Sequence, residues 1–134
     1  MSFCHSKPIA FFSNTTFINK IQSNRIVPVV QNVRKVIALA VDVKRGHIYF
    51  SVTQEREKAI RRVSIYGGEL TDIINEDIGT CEGLAIEWRS RLLYWTDASY
   101  KWIQVSWLDG SHRKVLITRD LWEPRGIAVD PSTG

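Results

Sequence analysis

Three acids share one position in a repeating pattern. Asp42, Glu87 and Asp130 end the stretches Leu39-Ala40-Val41-Asp42, Leu84-Ala85-Ile86-Glu87 and Ile127-Ala128-Val129-Asp130, which step by 45 and then 43 residues. Carboxylates gathered from neighbouring units are the oxygen ligands that Ca²⁺ prefers. Repetition at one structural position has a simpler reading, in which each acid satisfies the turn it precedes. On that reading no metal and no cofactor is expected. Nucleophilic catalysis has little support, because the chain carries no GxSxG, P-loop or HExxH pattern. Cys4 and Cys81 are the two cysteines. They are too few for a disulfide framework and are not spaced as a CxxC pair, and sequence leaves their pairing open. His47 follows Gly46 and His112 follows the Gly110 turn, so both read as solvated residues of loops or strand edges. Asn14-Thr15-Thr16 is a glycosylation sequon on an expected turn.

The composition bounds what such residues could serve. The chain has 134 residues, 44% of them hydrophobic, so it can bury a core. Its net charge of +4 is mild, and the densest basic group, from Lys44 to Arg62, is broken by Glu55 and Glu57. That reads as a solvated face, with an acidic partner or sulfated glycan as the next reading. No finger, basic helix or RNP pattern appears, so nucleic acid is not an expected partner. No apolar run approaches the length of a membrane span. Residues 1–7 lack the basic start and apolar run of a signal peptide. Together with the repeats, this suggests a piece of a longer protein.

The elements that must position these residues are short strands. Apolar or alternating runs recur between turn residues, which indicates an all-β fold. The expected strands cover 9–13, 17–21, 27–30, 37–43, 47–51, 60–65, 71–75, 84–88, 92–96, 103–108, 114–117 and 126–129. Arg45-Gly46, Gly67-Gly68 and Asp109-Gly110-Ser111 read as hairpin turns, where glycine supplies the positive φ. Arg89-Ser90-Arg91 does the same job without glycine. Tyr94-Trp95-Thr96-Asp97 lies 45 residues beyond Tyr49-Phe50-Ser51-Val52. Side chains alternate along a strand, so Tyr94 and Thr96 face one way and Trp95 and Asp97 the other. Periods of 40–45 residues belong to stacked repeats such as propeller blades, and four antiparallel strands make one blade.

These landmarks resemble the low-density lipoprotein receptor class B repeats, the YWTD β-propellers. Tyr94-Trp95-Thr96-Asp97 matches the signature, with Glu82-Gly83-Leu84-Ala85-Ile86-Glu87-Trp88 before it and Leu108-Asp109-Gly110-Ser111 after it. Phe11-Phe12-Ser13-Asn14 is similar to the opening of such a propeller. The resemblance implies a partial six-bladed propeller over residues 8–134, with about two complete four-stranded blades plus two partial ones. The blade parts are 8–30, 37–75, 84–117 and 126–134. Residues 1–7, with Cys4, stand where an EGF-like module would end. Tyr49 and Phe50 keep only the aromatic half of the motif, Cys81 stands where the family usually has proline, and Tyr66 stands where the turn usually has Asp.

The family also implies a function. It points to a non-catalytic, extracellular ligand-binding module of a single-pass membrane receptor, serving endocytosis or signalling. Lipoproteins, secreted signalling proteins or similar protein ligands would be partners, and EGF-like modules would be neighbours in the parent chain. Tyr94, Trp95, Thr96, Asp97, Tyr49, Phe50, Asp42, Glu87, Asp130 and Gly110 would then be architectural. Trp122 and Trp102 are the candidate ligand-face residues and Asn14 the candidate glycosylation site. The rivals are a calcium-dependent, lactonase-like hydrolase on a six-bladed propeller and an intracellular propeller scaffold. Two blades alone leave sheet faces uncovered, so association of the isolated chain is expected.

Overall fold

The computed structural model describes residues 10–13, 17–22, 25–31, 36–54, 56–117 and 127. Three antiparallel sheets follow one another along the chain. The first has strands β1 (Ala10–Ser13), β2 (Phe17–Gln22) and β3 (Arg25–Gln31). The second orders β4 (Val36–Asp42), β5 (His47–Gln54), β6 (Glu57–Ser64) and β7 (Thr71–Ile74) as a meander. The third repeats it with β8 (Cys81–Glu87), β9 (Leu92–Asp97), β10 (Trp102–Trp107) and β11 (Lys114–Ile117). The all-β, partial-propeller expectation holds: two four-stranded blades follow a three-stranded one. Calls on residues 1–9, on Asn14, and on Trp122, Asp130 and the strand expected at 126–129 lie outside the described residues.

The blades repeat in detail. Register shifts fall between β4 and β5 near Val36 and Leu39, and between β8 and β9 near Cys81 and Gly83. A second pair falls at Ile60/Arg61 and Ile103/Gln104, again one repeat apart. Such bulges bend a strand and sharpen its twist. A blade sheet needs both, because its two faces must meet neighbours inclined to it.

Alternation along the strands splits each blade into two buried faces. On β5, Ile48, Phe50 and Val52 pack with Ile18 of the first sheet, Ala59 and Val63. Tyr49 faces the other way, into a cluster with Ala38, Ile60, Ile74, Leu84, Leu93 and Trp95. Trp95 is fully buried there. In each blade the second residue of the Tyr-Trp or Tyr-Phe pair therefore points back to the preceding sheet. The Tyr of β5 points forward to the next one. This matches the two-face assignment made for the motif.

Turns are fixed by backbone geometry. Gly46, Gly67, Gly68 and Gly110 all have positive φ. Arg91, at φ 62°, performs the glycine's role in the Arg89-Ser90-Arg91 turn. Gly110 is doubly constrained, because a Cβ there would lie 2.2 Å from the carbonyl oxygen of Ile73 in the preceding blade. Gly110→Ala should therefore cost about 2 kcal/mol or more, and Gly68→Ala, in open space at φ 110°, clearly less. Chemical denaturation of the two variants checks the difference.

Candidate functional site

The motif strand ends in a buried carboxylate. Asp97 is fully buried and accepts three backbone N–H bonds. Gly79 donates to Oδ2 at 2.6 Å, and Ser99 and Tyr100 donate to Oδ1 at 3.0 Å each. The first comes from the connection entering β8 and the others from the turn leaving β9. One acid thus ties the two loops at this end of the blade together. A Cβ on Gly79 would lie 2.6 Å from Asp97 Oδ1 and 2.4 Å from Ser99 Cβ, so the close approach requires glycine. Nothing in the motif itself announces Gly79.

A second set of polar groups links one blade to the next. Ser51 Oγ donates to the Cys81 carbonyl at 2.8 Å and accepts from the Ala38 amide at 3.0 Å. Tyr49 hydroxyl donates to the Leu108 carbonyl at 3.1 Å. Arg91 forks onto the buried Asp42 carboxylate, with Nη1 to Oδ1 at 2.9 Å. Burial pushes the Asp42 carboxyl up, but the hydrogen bond and charge of Arg91 outweigh it and hold the group below its usual range. The Arg45 amide adds a further bond. Such bidentate pairing suits the planar guanidinium. Sequence reading missed Arg91 as Asp42's partner, since 49 residues separate the two.

Glu87, at the repeat position of Asp42, is spent on its own turn. It accepts from the Arg89 amide at 3.1 Å, the Ser90 amide at 2.6 Å and the Ser90 hydroxyl. The Ser90 bonds hold its carboxyl below the usual range. Asp42 and Glu87 are therefore directed to different partners and not to a shared ion. Among the described residues no group of three His, Cys, Asp or Glu side chains is placed to hold a metal. Cys81 is a free, buried thiol, pushed up to about 12 by burial, which makes it a poor nucleophile.

Arg113 is another residue that no sequence signal marked. Its Nε donates to Gln104 Oε1 at 2.6 Å, and its Nη groups donate to the carbonyls of Glu76 and Asp77. The guanidinium sits over the Trp95 ring, 5.4 Å from its centroid. Thr96 is buried and Tyr94 half-buried on the face of the third sheet turned away from the second. Trp102 is half-buried and stacks on Tyr100, with ring centroids 4.8 Å apart. Tyr100 is 47% exposed. This aromatic pair lies at the Asp97 end of the sheet. His112 is exposed in the turn between β10 and β11, in line with the solvated-loop expectation, whereas His47 is half-buried. His47 opens β5, half-buried beside Asp42 and Arg62, and His112 stacks on Trp107 at 3.7 Å.

Removing Arg91 should leave a buried, unpaired charge. Arg91→Ala is expected to cost about 3 kcal/mol or more, and Asp42→Ala in the same chain should recover part of it; a double-mutant cycle by denaturation checks this. The pH dependence follows from the sign of the Asp42 shift. A carboxyl held low in the folded state adds stability above its unfolded pKa and loses it as pH falls through the folded one. The melting temperature should thus fall below about pH 4, and less steeply in Asp42→Asn. Asp97→Ala, which strands three amides, should cost about 3 kcal/mol.

Comparisons with known proteins agree with this geometry. The family model described as low-density lipoprotein receptor repeat class B matches residues 91–131. The chain is 36% identical over 89 residues to human low-density lipoprotein receptor-related protein 5-like protein, across 66% of this chain and 34% of that one. It is 38% identical over 135 residues to mouse low-density lipoprotein receptor-related protein 5, across 96% of this chain and 8% of that one. It therefore spans about a third of the first relative's length and under a tenth of the second's. Among solved structures it is similar to a chain of a nidogen/laminin complex, at 32% identity and TM-score 0.83, covering 94% of this chain and 50% of that one. A Kuenenia stuttgartiensis hydrazine synthase, at 17% identity and TM-score 0.68 over 91% of this chain and 36% of that one, shares the fold alone. Signature strand, repeated register and matched model together place the chain in the family of low-density lipoprotein receptor class B repeats, the YWTD propellers.

Proposed function

We propose that the chain is a non-catalytic, extracellular ligand-binding module of a receptor-type protein, serving uptake or signalling, with a protein as its ligand. The parent is a single-pass membrane receptor in this reading. Residues 8–134 contribute to a six-bladed ring, and residues 1–7 close an EGF-like module. The observation that carries the reading is the Tyr100–Trp102 stack, half open at the end of the third sheet. Aromatic side chains on a fixed backbone make strong protein anchors at low entropic cost. The receptor-related names of the relatives support a receptor role, and the nidogen/laminin complex supports a protein ligand for propellers of this kind.

The enzymatic alternative has weaker support. A calcium-dependent hydrolase needs convergent acids, whereas Asp42, Glu87 and Asp97 are each engaged in structural bonds. A random peptide library displayed on phage and panned against the chain tests the proposal. Enriched peptides should bind about tenfold more weakly to Trp102→Ala and Tyr100→Ala and equally well to Tyr66→Ala, at the opposite end of a blade. Binding indifferent to the two aromatic substitutions contradicts it.

A further inference from the structure

The segment linking β7 to β8 and the turn leaving β9 meet at the Asp97 end of the sheets. Asp97 joins them by accepting from Gly79 on one side and from Ser99 and Tyr100 on the other. Further bonds lie beside it. The Thr80 amide donates to Ser99 Oγ at 3.0 Å, Ser99 Oγ donates to Thr80 Oγ1 at 3.0 Å, and the Ala98 amide donates to the Thr80 carbonyl at 2.8 Å. Link and turn are therefore one bonded unit. Tyr100 and Trp102 stand at its edge, on either side of Lys101, whose φ of 60° lies in the left-handed region. Extended backbone holds side chains two residues apart at roughly 6.6 Å. A left-handed residue shortens that span, and the two ring centroids lie 4.8 Å apart.

An arm from the third sheet grips this unit. Arg113 immediately precedes β11, in the hairpin at the opposite end of the sheet from Tyr100. Its guanidinium lies over Trp95 and reaches across the seam to the link that leaves the second sheet. Nη1 donates to the Glu76 carbonyl at 2.7 Å, and Nη2 donates to the Asp77 carbonyl. Nε, donating to Gln104 Oε1 at 2.6 Å, fixes the arm to its own sheet. Asp77, Asp97 and Tyr100 all act on its charge, so the arm ends beside the unit it holds. A planar fork sets two carbonyls at a fixed spacing and direction, which a lysine ammonium does not.

The seam is unfavourable at this point. Asp77 sits at φ 47°, a left-handed conformation that few non-glycine residues adopt. Trp95 Nε1 beneath the arm and Gln104 Nε2 beside it are buried without a hydrogen-bond partner, and buried donors left unpaired are destabilising. Strain of this kind collects where a structure holds a shape for use.

We propose that Arg113 is a positioning residue for the Tyr100–Trp102 pair, acting across the seam through the Glu76 and Asp77 carbonyls and then through Gly79 and Asp97. The pair takes its stacked form only while this arm docks the second blade against the third. Its use to a ligand rests on the function proposed above, whereas the positioning does not. NMR of the full chain reads the stack directly, because one ring lying over another shifts its protons upfield. Tyr100 ring protons should be shifted upfield and show contacts to Trp102. Arg113→Ala should abolish both, with circular dichroism confirming that the sheets remain. Arg113→Lys, which keeps the stem and the charge without the fork, should lose most of the shift and tests the same point if the alanine variant fails to fold. Tyr49→Phe, which removes an inter-blade bond at the opposite end, should leave the stack intact. Peptides enriched on the unaltered chain should bind the Arg113→Ala chain about tenfold more weakly, the entropy of fixing two rings on binding. They should bind the Tyr49→Phe chain equally well. A full stack in either folded Arg113 variant, or equal loss of the stack in Tyr49→Phe, overturns the positioning role. Loss of the stack in Arg113→Ala with peptide binding undiminished supports the positioning role and contradicts the ligand face instead.

Discussion

A blade sheet with two apolar faces cannot stand uncovered, and every other feature of this chain follows from that constraint. Phe50 is buried against the first sheet and Trp95 against the second. Each motif strand therefore sends the second aromatic of its pair backward into the preceding blade. Polar groups buried in these seams are costly unless they find a partner inside the protein, and among the described residues only a few, Trp95 Nε1 and Gln104 Nε2 among them, go without one. Asp97, Asp42, Ser51 and Tyr49 find theirs in backbone groups and one arginine. Asp42 and Glu87, two of the acids that looked most like chemistry, are fasteners of the architecture.

The division of labour between the ends of the sheets has the same origin. At one end Asp97 gathers the entering and leaving loops and sets Tyr100 and Trp102 beside them. At the other, the Asp42–Arg91 and Tyr49–Leu108 contacts draw adjacent blades together and leave a basic cleft between their turns. Rigidity made by inter-blade bonds is what makes either surface a defined shape. Binding surfaces on such a frame cost little entropy to organise.

Much of the fold was legible because its signals are local and repeat. Glycines at the hairpins, alternation along 47–51 and 92–96, and the step of 43–45 residues announced strands, turns and blades. The facing of Tyr94 and Trp95 followed from alternation alone. The partners of those residues were not legible. Arg91 meets Asp42, Arg113 meets the Glu76 and Asp77 carbonyls, and Gly79 meets Asp97 across separations that only the closed stack creates. The cleft was hidden for the same reason, since Arg45, Arg62 and Arg91 belong to three different turns and strands. The basic group around Lys44 to Arg62 looked like a solvated face because sequence could not show that Tyr49 and the next blade fix one side of it.

The central claim is that the two complete blades stand or fall together, through the seam that Trp95, Asp42 and Ser51 close. Native-state amide hydrogen exchange reads this most directly. The account predicts one shared opening free energy for the amides of β5, β6, β8 and β9, lowered together when Arg91 is replaced by alanine. Separate opening energies for the two sheets, with loss confined to one of them in that variant, would contradict it.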